Sequence, residues 1–234
     1  MSQGYFVTGT DTGVGKTLIS AALARLFALQ GLKTVGMKPV AAGCREEHGV
    51  LISEDVEILQ AASNVRLPLN VINPYAFKPP LAPHIAAKMT GRQIELSVIN
   101  RAFLQARLSA DVVVVEGVGG FCVPINDIQS MADVAVACDL PVILVVGMRL
   151  GCINHALLSV EAILARGLVL SGWVANCIDP EMAALTQNLD ALKALIPAPC
   201  LGVIPFQGAP DYVTVSSWLE AIVVHQNKLS HSAE

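Results

Sequence analysis

The sequence predicts an α/β fold: one mainly parallel sheet with helices on both faces. Three observations predict it. Short apolar runs alternate with longer amphipathic ones almost from end to end, the order that βαβ units produce. The apolar runs are continuous, as in Val112-Val113-Val114-Val115, and strands covered on both sides need that pattern. The chain is 53% hydrophobic and only 15% charged, with a mean hydropathy of +0.58. A membrane protein would also be this apolar, but no uninterrupted run reaches the roughly 18–20 residues of a spanning helix. The nearest, residues 156–175, is broken by Glu161 and Arg166.

Each element follows in order. Residues 5–8 read as the first strand. Residues 16–30 read as a helix closed by Gly31, the residue type best suited to a left-handed C-terminal cap. Residues 33–37 are the second strand and leave Lys38-Pro39 at its carboxyl end. Residues 41–53 read as a loop, and Glu54–Ala62 as a short helix. Residues 67–83, rich in proline and asparagine, read as a long irregular connection; such connections in compact domains are often functional. Residues 91–108 form an amphipathic helix, and 111–115 a strand that runs into Glu116-Gly117-Val118-Gly119-Gly120. Then follow helix 130–138, strand 141–146, a helix from about 154 to 166, strand 168–175, helix 181–196, strand 201–204 and helix 212–226. With no repeat and no linker, residues 1–226 read as one domain and 227–234 as a polar tail.

The first strand and first helix flank Gly9-Thr10-Asp11-Thr12-Gly13-Val14-Gly15-Lys16-Thr17. Strand, glycine-rich loop, helix is the context of a phosphate-binding P-loop, so the fold is P-loop NTPase-like. A helix N-terminus leaves backbone N–H groups unpartnered, and they face whatever lies above them. Gly13 and Gly15 let the backbone close round phosphate oxygens, Lys16 can reach the β- and γ-phosphates, and Thr17 can ligate Mg²⁺. The strict pattern asks for glycine where Thr10 stands. In open α/β sheets ligands bind beyond the carboxyl ends of the strands. That rule selects the P-loop, Lys38, Glu116, residues 147–154, Asn176 and Pro205.

Glu116, at the end of an apolar strand, suits a second Mg²⁺ anchor opposite the P-loop hydroxyl. Asp55 is a third oxygen candidate or simply a helix-capping residue. Lys38 is either a second cation for a phosphoryl group or a solvated lysine at a loop start. Gly151, Cys152, Ile153 and Asn154 open a helix: either an anion site or a start capped by Asn154. His155 reads as a packing residue, and His84 has no clear role. No nucleophile–histidine spacing supports covalent catalysis. The net charge of −4 without a basic cluster argues against nucleic acid. No secretory signal leads the chain. The six cysteines show no metal-ligand spacing and read as buried apolar residues in a reducing cytosol, which places the protein in the cytoplasm.

Taken together, these motifs resemble the dethiobiotin synthetases along nearly the whole chain. The matching stretches are Tyr5-Phe6-Val7-Thr8-Gly9-Thr10-Asp11-Thr12, Val14-Gly15-Lys16-Thr17, Lys38-Pro39-Val40, Asn73-Pro74-Tyr75, Pro83-His84, Val115-Glu116-Gly117, Gly119-Gly120, Leu150-Gly151-Cys152-Ile153-Asn154-His155-Ala156 and Gly172-Trp173-Val174-Ala175-Asn176. The family's P-loop itself carries threonine where the strict pattern asks for glycine. The resemblance implies an ATP- and Mg²⁺-dependent ligase that closes the ureido ring of dethiobiotin from 7,8-diaminononanoate and CO₂ through a phosphorylated carbamate. It implies Lys16, Lys38 and Thr12 as the residues acting on the reacting groups. Thr17, Asp55 and Glu116 would be the metal ligands. Gly13, Val14, Gly15, Leu18, Gly117, Val118 and Gly119 would surround the nucleotide, with Asn176, Cys177, Pro205, Phe206 and Gln207 on its base side. Thr12, Lys38, residue 42 and the helix start at Gly151 to Asn154 would meet the diamine, the last reaching across from the partner subunit of a homodimer.

The sequence departs from that family at two places. Ala42 stands where relatives carry a hydroxyl residue, and Gly13 where some carry a larger side chain. A switch ATPase of the septum-placement kind remains an alternative, although Asp11 stands where those proteins have a second lysine. So do an amidating ligase of the corrinoid type and a paralogue with a changed substrate.

Overall fold

The structure is a computed structural model that describes residues 3–219. In chain order the elements are β1 (Gln3–Gly9), α1 (Lys16–Leu29), β2 (Thr34–Met37), β3 (Val40–Ala42), β4 (Arg45–Glu47), β5 (Val50–Ile52), α2 (Glu54–Ala62) and α3 (Leu69–Ile72). Then come β6 (Tyr75–Phe77), α4 (Pro83–Met89), α5 (Leu96–Ser109), β7 (Val112–Glu116), α6 (Met131–Cys138), β8 (Val142–Met148) and α7 (Cys152–Ala165). The last are β9 (Leu170–Cys177), α8 (Leu185–Leu195), β10 (Cys200–Ile204) and α9 (Tyr212–Trp218).

Six strands form one sheet in the order β10-β9-β8-β1-β7-β2, and every pairing in it is parallel. The pleat divides the four valines of β7 between two cores. Val112 and Val114 pack with α1 on one face, and Val113 and Val115 with the α5 side on the other. All four are at most 1% exposed, and burying each contributes about 1.5–3 kcal/mol. Continuous apolar strands are the result of two buried faces, as expected. Among the described residues, no helix is long and apolar enough to cross a membrane.

Several boundaries differ from the sequence reading. The 41–53 loop contains the hairpin β4–β5. His48 and Gly49 turn it with φ of 51° and 78°, the paired positive values of a tight hairpin turn. The 67–83 connection contains α3 and β6, and β6 pairs in parallel with β3. Strands of three residues give no period to read, and the partners β3 and β6 are distant in sequence. The helix expected from 91 begins only at Leu96, as α5, and a separate helix not expected from the sequence, α4, precedes it; Gly91, in the left-handed region with φ 66°, lies between the two. α8 begins at Leu185 rather than 181, since the Asp179 carboxylate accepts the Glu181 N–H at 3.0 Å and holds a turn there. α6 starts where expected, on a reciprocal cap in which Asp133 accepts the Ser130 N–H at 2.7 Å. Four cysteines are buried, but Cys122 is exposed and Cys200 intermediate, which corrects the uniform reading. The last helix begins as expected at Tyr212; residues 220–234, with the expected end of that helix and the polar tail, lie outside the described residues.

Candidate functional site

The P-loop leaves the centre of the sheet, between β8 and β7, and curls over the start of α1. Gly13 and Gly15 take φ of 74° and 89°, which only glycine adopts without strain. Gly15 is also needed for space, since a Cβ there would lie 2.2 Å from Asn176 Nδ2. That Asn176 amide donates to the Val14 carbonyl at 2.9 Å. The loop is thereby braced from the end of β9 and wraps a cavity of about 720 Å³. Thr12, Gly13, Gly15, Lys16 and Thr17 line one side of it, Lys38, Ala42 and Asp55 another, and Glu116, Val118 and Gly119 a third. Elements far apart in sequence thus converge as the strand-end rule requires.

The polar centre is buried. Lys38 and Glu116 are 3% and 1% exposed. Lys38 Nζ lies 2.5 Å from Glu116 Oε1 and 2.8 Å from Asp55 Oδ2, and also donates to the Gly117 carbonyl at 3.2 Å. The Thr17 hydroxyl donates to the same Glu116 Oε1 at 2.8 Å. Lys16 Nζ donates to the Asp11 carbonyl at 2.8 Å. Burial first, and then the nearby Lys38 charge, lower the Lys16 pKa from 10.5 to about 8. Burial also acts against the Lys38 ammonium, but Glu116 and Asp55 outweigh it and hold its pKa above the ordinary value. Burial pushes the Glu116 carboxyl up despite Lys38. At Asp55 burial is overcome by the Lys38 charge, and its pKa falls.

A second consequence of the fold is how Lys38 is held. The Asn73 side-chain amide donates to the Lys38 carbonyl at 2.6 Å and to the Tyr75 carbonyl at 3.2 Å. The Lys38 N–H donates to the Ile72 carbonyl at 2.8 Å. Lys38 is therefore fixed from α3 and β6, in a stretch read as irregular. In the sequence the only signal for Asn73 is its place in the Asn73-Pro74-Tyr75 match. Pro80, Leu81, Ala82 and Pro83 complete the cavity wall with Val123. Of these, only Pro83 carries a sequence signal of its own, in the Pro83-His84 match; the length of the 67–83 connection points to Pro80, Leu81 and Ala82, and nothing points to Val123.

The residues present fit Mg²⁺. Thr17, Asp55 and Glu116 offer hard oxygens, and a cation, the Lys38 ammonium, already sits among them. Glu116 Oε2 is buried with no hydrogen-bond partner, an acceptor left for one.

Other expected residues lie outside this cavity. Val14 is buried beneath the loop and Leu18 half-buried in α1. Asn176 and Cys177 end β9, and Pro205, Phe206 and Gln207 follow β10, two and three strands from β1. Phe206 is exposed, and Gln207 Oε1 accepts the Asp211 N–H at 3.2 Å. Gly151, Cys152, Ile153 and Asn154 open α7 at the end of β8 and do not line the cavity. The N-cap of α7 is Gly151 with φ 92°, so Asn154 is not its cap. His84 contacts the Pro124 carbonyl at 3.2 Å.

Comparison with known proteins agrees with this geometry. A family described as an AAA domain matches residues 3–211. ATP-dependent dethiobiotin synthetase of Nitrosospira multiformis is 53% identical over 94% of this chain and 96% of its own. The enzyme of the same name from Aromatoleum aromaticum is 51% identical over 93% and 96%, and that of Ralstonia nicotianae 52% over 88% and 90%. Among solved structures, the MinC:MinD cell division complex of Aquifex aeolicus gives a TM-score of 0.58 at 13% identity, covering 98% of this chain and 96% of that one. MinD of Pyrococcus horikoshii with Mg-ADP gives 0.55 at 15%, covering 94% and 86%. Likeness at that identity shows the P-loop NTPase-like fold alone. Identity above one half, sustained over nearly the full length of several relatives, shows more: the chain belongs to the family of ATP-dependent dethiobiotin synthetases.

Proposed function

We infer that this protein makes dethiobiotin from 7,8-diaminononanoate and CO₂ with ATP. The carrying observation is that a second buried lysine, Lys38, faces the P-loop in a cavity that continues past the phosphate end to Ala42 and Pro83. A switch that only hydrolyses ATP has no need of that extension. A ligase that joins a phosphoryl group to a second substrate does.

The chemistry follows in three steps. One amine of the diamine attacks CO₂ and loses a proton, leaving a carbamate. A carbamate oxygen attacks the γ-phosphorus, the bond to the bridging oxygen breaks, and ADP leaves. The second amine then attacks the carbamoyl carbon and loses its proton; the C–O bond to phosphate breaks, and the ring closes.

The residues contribute positioning and charge. Lys16 turns from the Asp11 carbonyl to the β- and γ-phosphates. Lys38 lies between carbamate and γ-phosphate and offsets the charge that develops there, with Thr12 beside it. Thr17, Asp55 and Glu116 would hold Mg²⁺, which when bound neutralises phosphate charge. Gly13, Val14, Gly15, Gly117, Val118 and Gly119 shape the phosphate cradle, with Leu18 behind it. Asn176 and Cys177, with Pro205, Phe206 and Gln207, take the adenine side.

Gly151, Cys152, Ile153 and Asn154 lie outside the chain's own cavity, and this supports a site completed by a second copy. In that homodimer the start of α7, exposed at Gly151 and Asn154, receives the substrate carboxylate of the partner. We take residues 1–226 as one working unit and the cytoplasm as its place. Bicarbonate labelled with ¹³C tests the reading: the ureido carbon of dethiobiotin carries the label if it is right, and an unlabelled or absent product refutes it.

A further inference from the structure

Asp11 brings a carboxylate into the lead-in of a loop that must close round a polyanion. Unless its charge is offset, it opposes phosphate binding. Its carboxylate is committed elsewhere. Oδ2 is paired with the Arg149 guanidinium, and Oδ1 accepts the Thr12 N–H at 2.7 Å. Its carbonyl meanwhile accepts Lys16 Nζ at 2.8 Å. One residue therefore sets both the Thr12 amide and the resting place of the Lys16 ammonium. Asp11 does not line the P-loop cavity; it lines the neighbouring one, with Cys122 and His155.

Arg149 comes from the turn between β8 and α7, and its carbonyl accepts the Cys152 N–H at 3.0 Å. The same strand grips the loop twice more. The Thr10 N–H donates to the Val145 carbonyl at 3.0 Å, and the Gly147 N–H to the Thr10 hydroxyl at 3.3 Å. Of these three ties only the Arg149 pair carries charge, and it joins the P-loop lead-in to the start of α7.

We propose that Arg149 is a positioning residue for nucleotide binding. It acts through Asp11, cancelling a carboxylate that would repel phosphate and fixing the segment that presents Thr12 and Lys16. The proposal rests on the ATP reading of the P-loop. Arg149 does not line the P-loop cavity, so its loss weakens ATP binding more than it slows the bound complex.

The test uses Arg149→Met, Arg149→Lys, Asp11→Asn and the double variant Arg149→Met/Asp11→Asn. Each is titrated with ATP at low and raised salt and assayed for KM and kcat. Arg149→Met should raise the Kd and KM for ATP about three- to tenfold while kcat changes less, and Arg149→Lys should retain most of the affinity. The double variant should bind ATP more tightly than Arg149→Met alone, because the uncompensated carboxylate is gone. Unchanged ATP affinity in Arg149→Met would overturn the proposal. So would losses that simply add in the double variant, the mark of a structural strut without an electrostatic role. Failure of the wild-type protein to bind ATP would overturn the nucleotide reading and this proposal with it, and the wild-type titration alone reveals that case.

Discussion

Lys38 and Glu116 meet at 2.5 Å between Nζ and Oε1, both almost wholly out of water. Asp55 lies on the other side of the same ammonium at 2.8 Å. The lysine thus stands among the three oxygens proposed for the metal and keeps two carboxylates together in its absence. Replacing it with methionine leaves them facing each other. Removing one partner of a buried pair costs about 3–5 kcal/mol, so Lys38→Met should melt well below wild type without Mg²⁺ and regain part of the loss when Mg²⁺ is added. Thermal melts in EDTA and in Mg²⁺ check this; equal losses in both would contradict it. Turnover should fall by about 10²–10³, as for loss of one preorganised donor to developing charge.

Lys16 gives a pH dependence. Its pKa is lowered to about 8 in the folded protein against 10.5 when free. Charging it is therefore unfavourable in the folded state. That penalty is full below pH 8 and is relieved as pH rises from about 8 to 10.5, so this group makes the nucleotide-free protein more stable across that window. Binding has the opposite dependence, since phosphate requires the ammonium. ATP affinity should be flat below pH 8 and fall above it, with proton uptake near pH 8. Calorimetry in two buffers of different ionisation heat measures the uptake; none would contradict the assignment.

Gly15→Ala should remove nucleotide binding while the sheet survives. The new Cβ would meet Asn176 Nδ2 at 2.2 Å, at a φ of 89° that alanine resists. Backbone and Asn176 must both shift, and the Val14 brace goes with them. Loss of ATP binding with a retained cooperative melt is expected; ATP binding near the wild-type value would refute the packing argument.

Ala42 lines the cavity, at the position where the resemblance implies a hydroxyl residue. Ala42→Ser should lower the KM for the diamine by up to about tenfold, the value of one neutral hydrogen bond of about 0.5–1.5 kcal/mol. Steady-state kinetics with the diamine varied decide it, and an unchanged KM refutes it.

The sheet and the polar centre were legible in the sequence because their signals are local. Four successive valines announce a strand covered twice, and Glu116 is the first charge after them. Lys16 and Thr17 follow the glycines that a phosphate loop needs. What was hidden depends on distant partners. β3 and β6 are three residues each and pair with one another, 35 positions apart at Val40 and Tyr75 (75 − 40). Asn73 shows its use only once its amide is seen on the Lys38 carbonyl. Asp11 read merely as the absence of a second P-loop lysine, because Arg149 stands 138 residues away. At the start of α7 the sequence leaves an anion site and an Asn154-capped helix open; the fold removes the Asn154 cap and sets this helix start apart from the cavity.

A pocket that couples ATP to a diamine must turn over only when both are present. ADP release by the purified protein, with Mg-ATP and bicarbonate, should depend on 7,8-diaminononanoate and match dethiobiotin formed one for one. ADP release at the same rate without the diamine would contradict the account and mark the protein as a nucleotide switch.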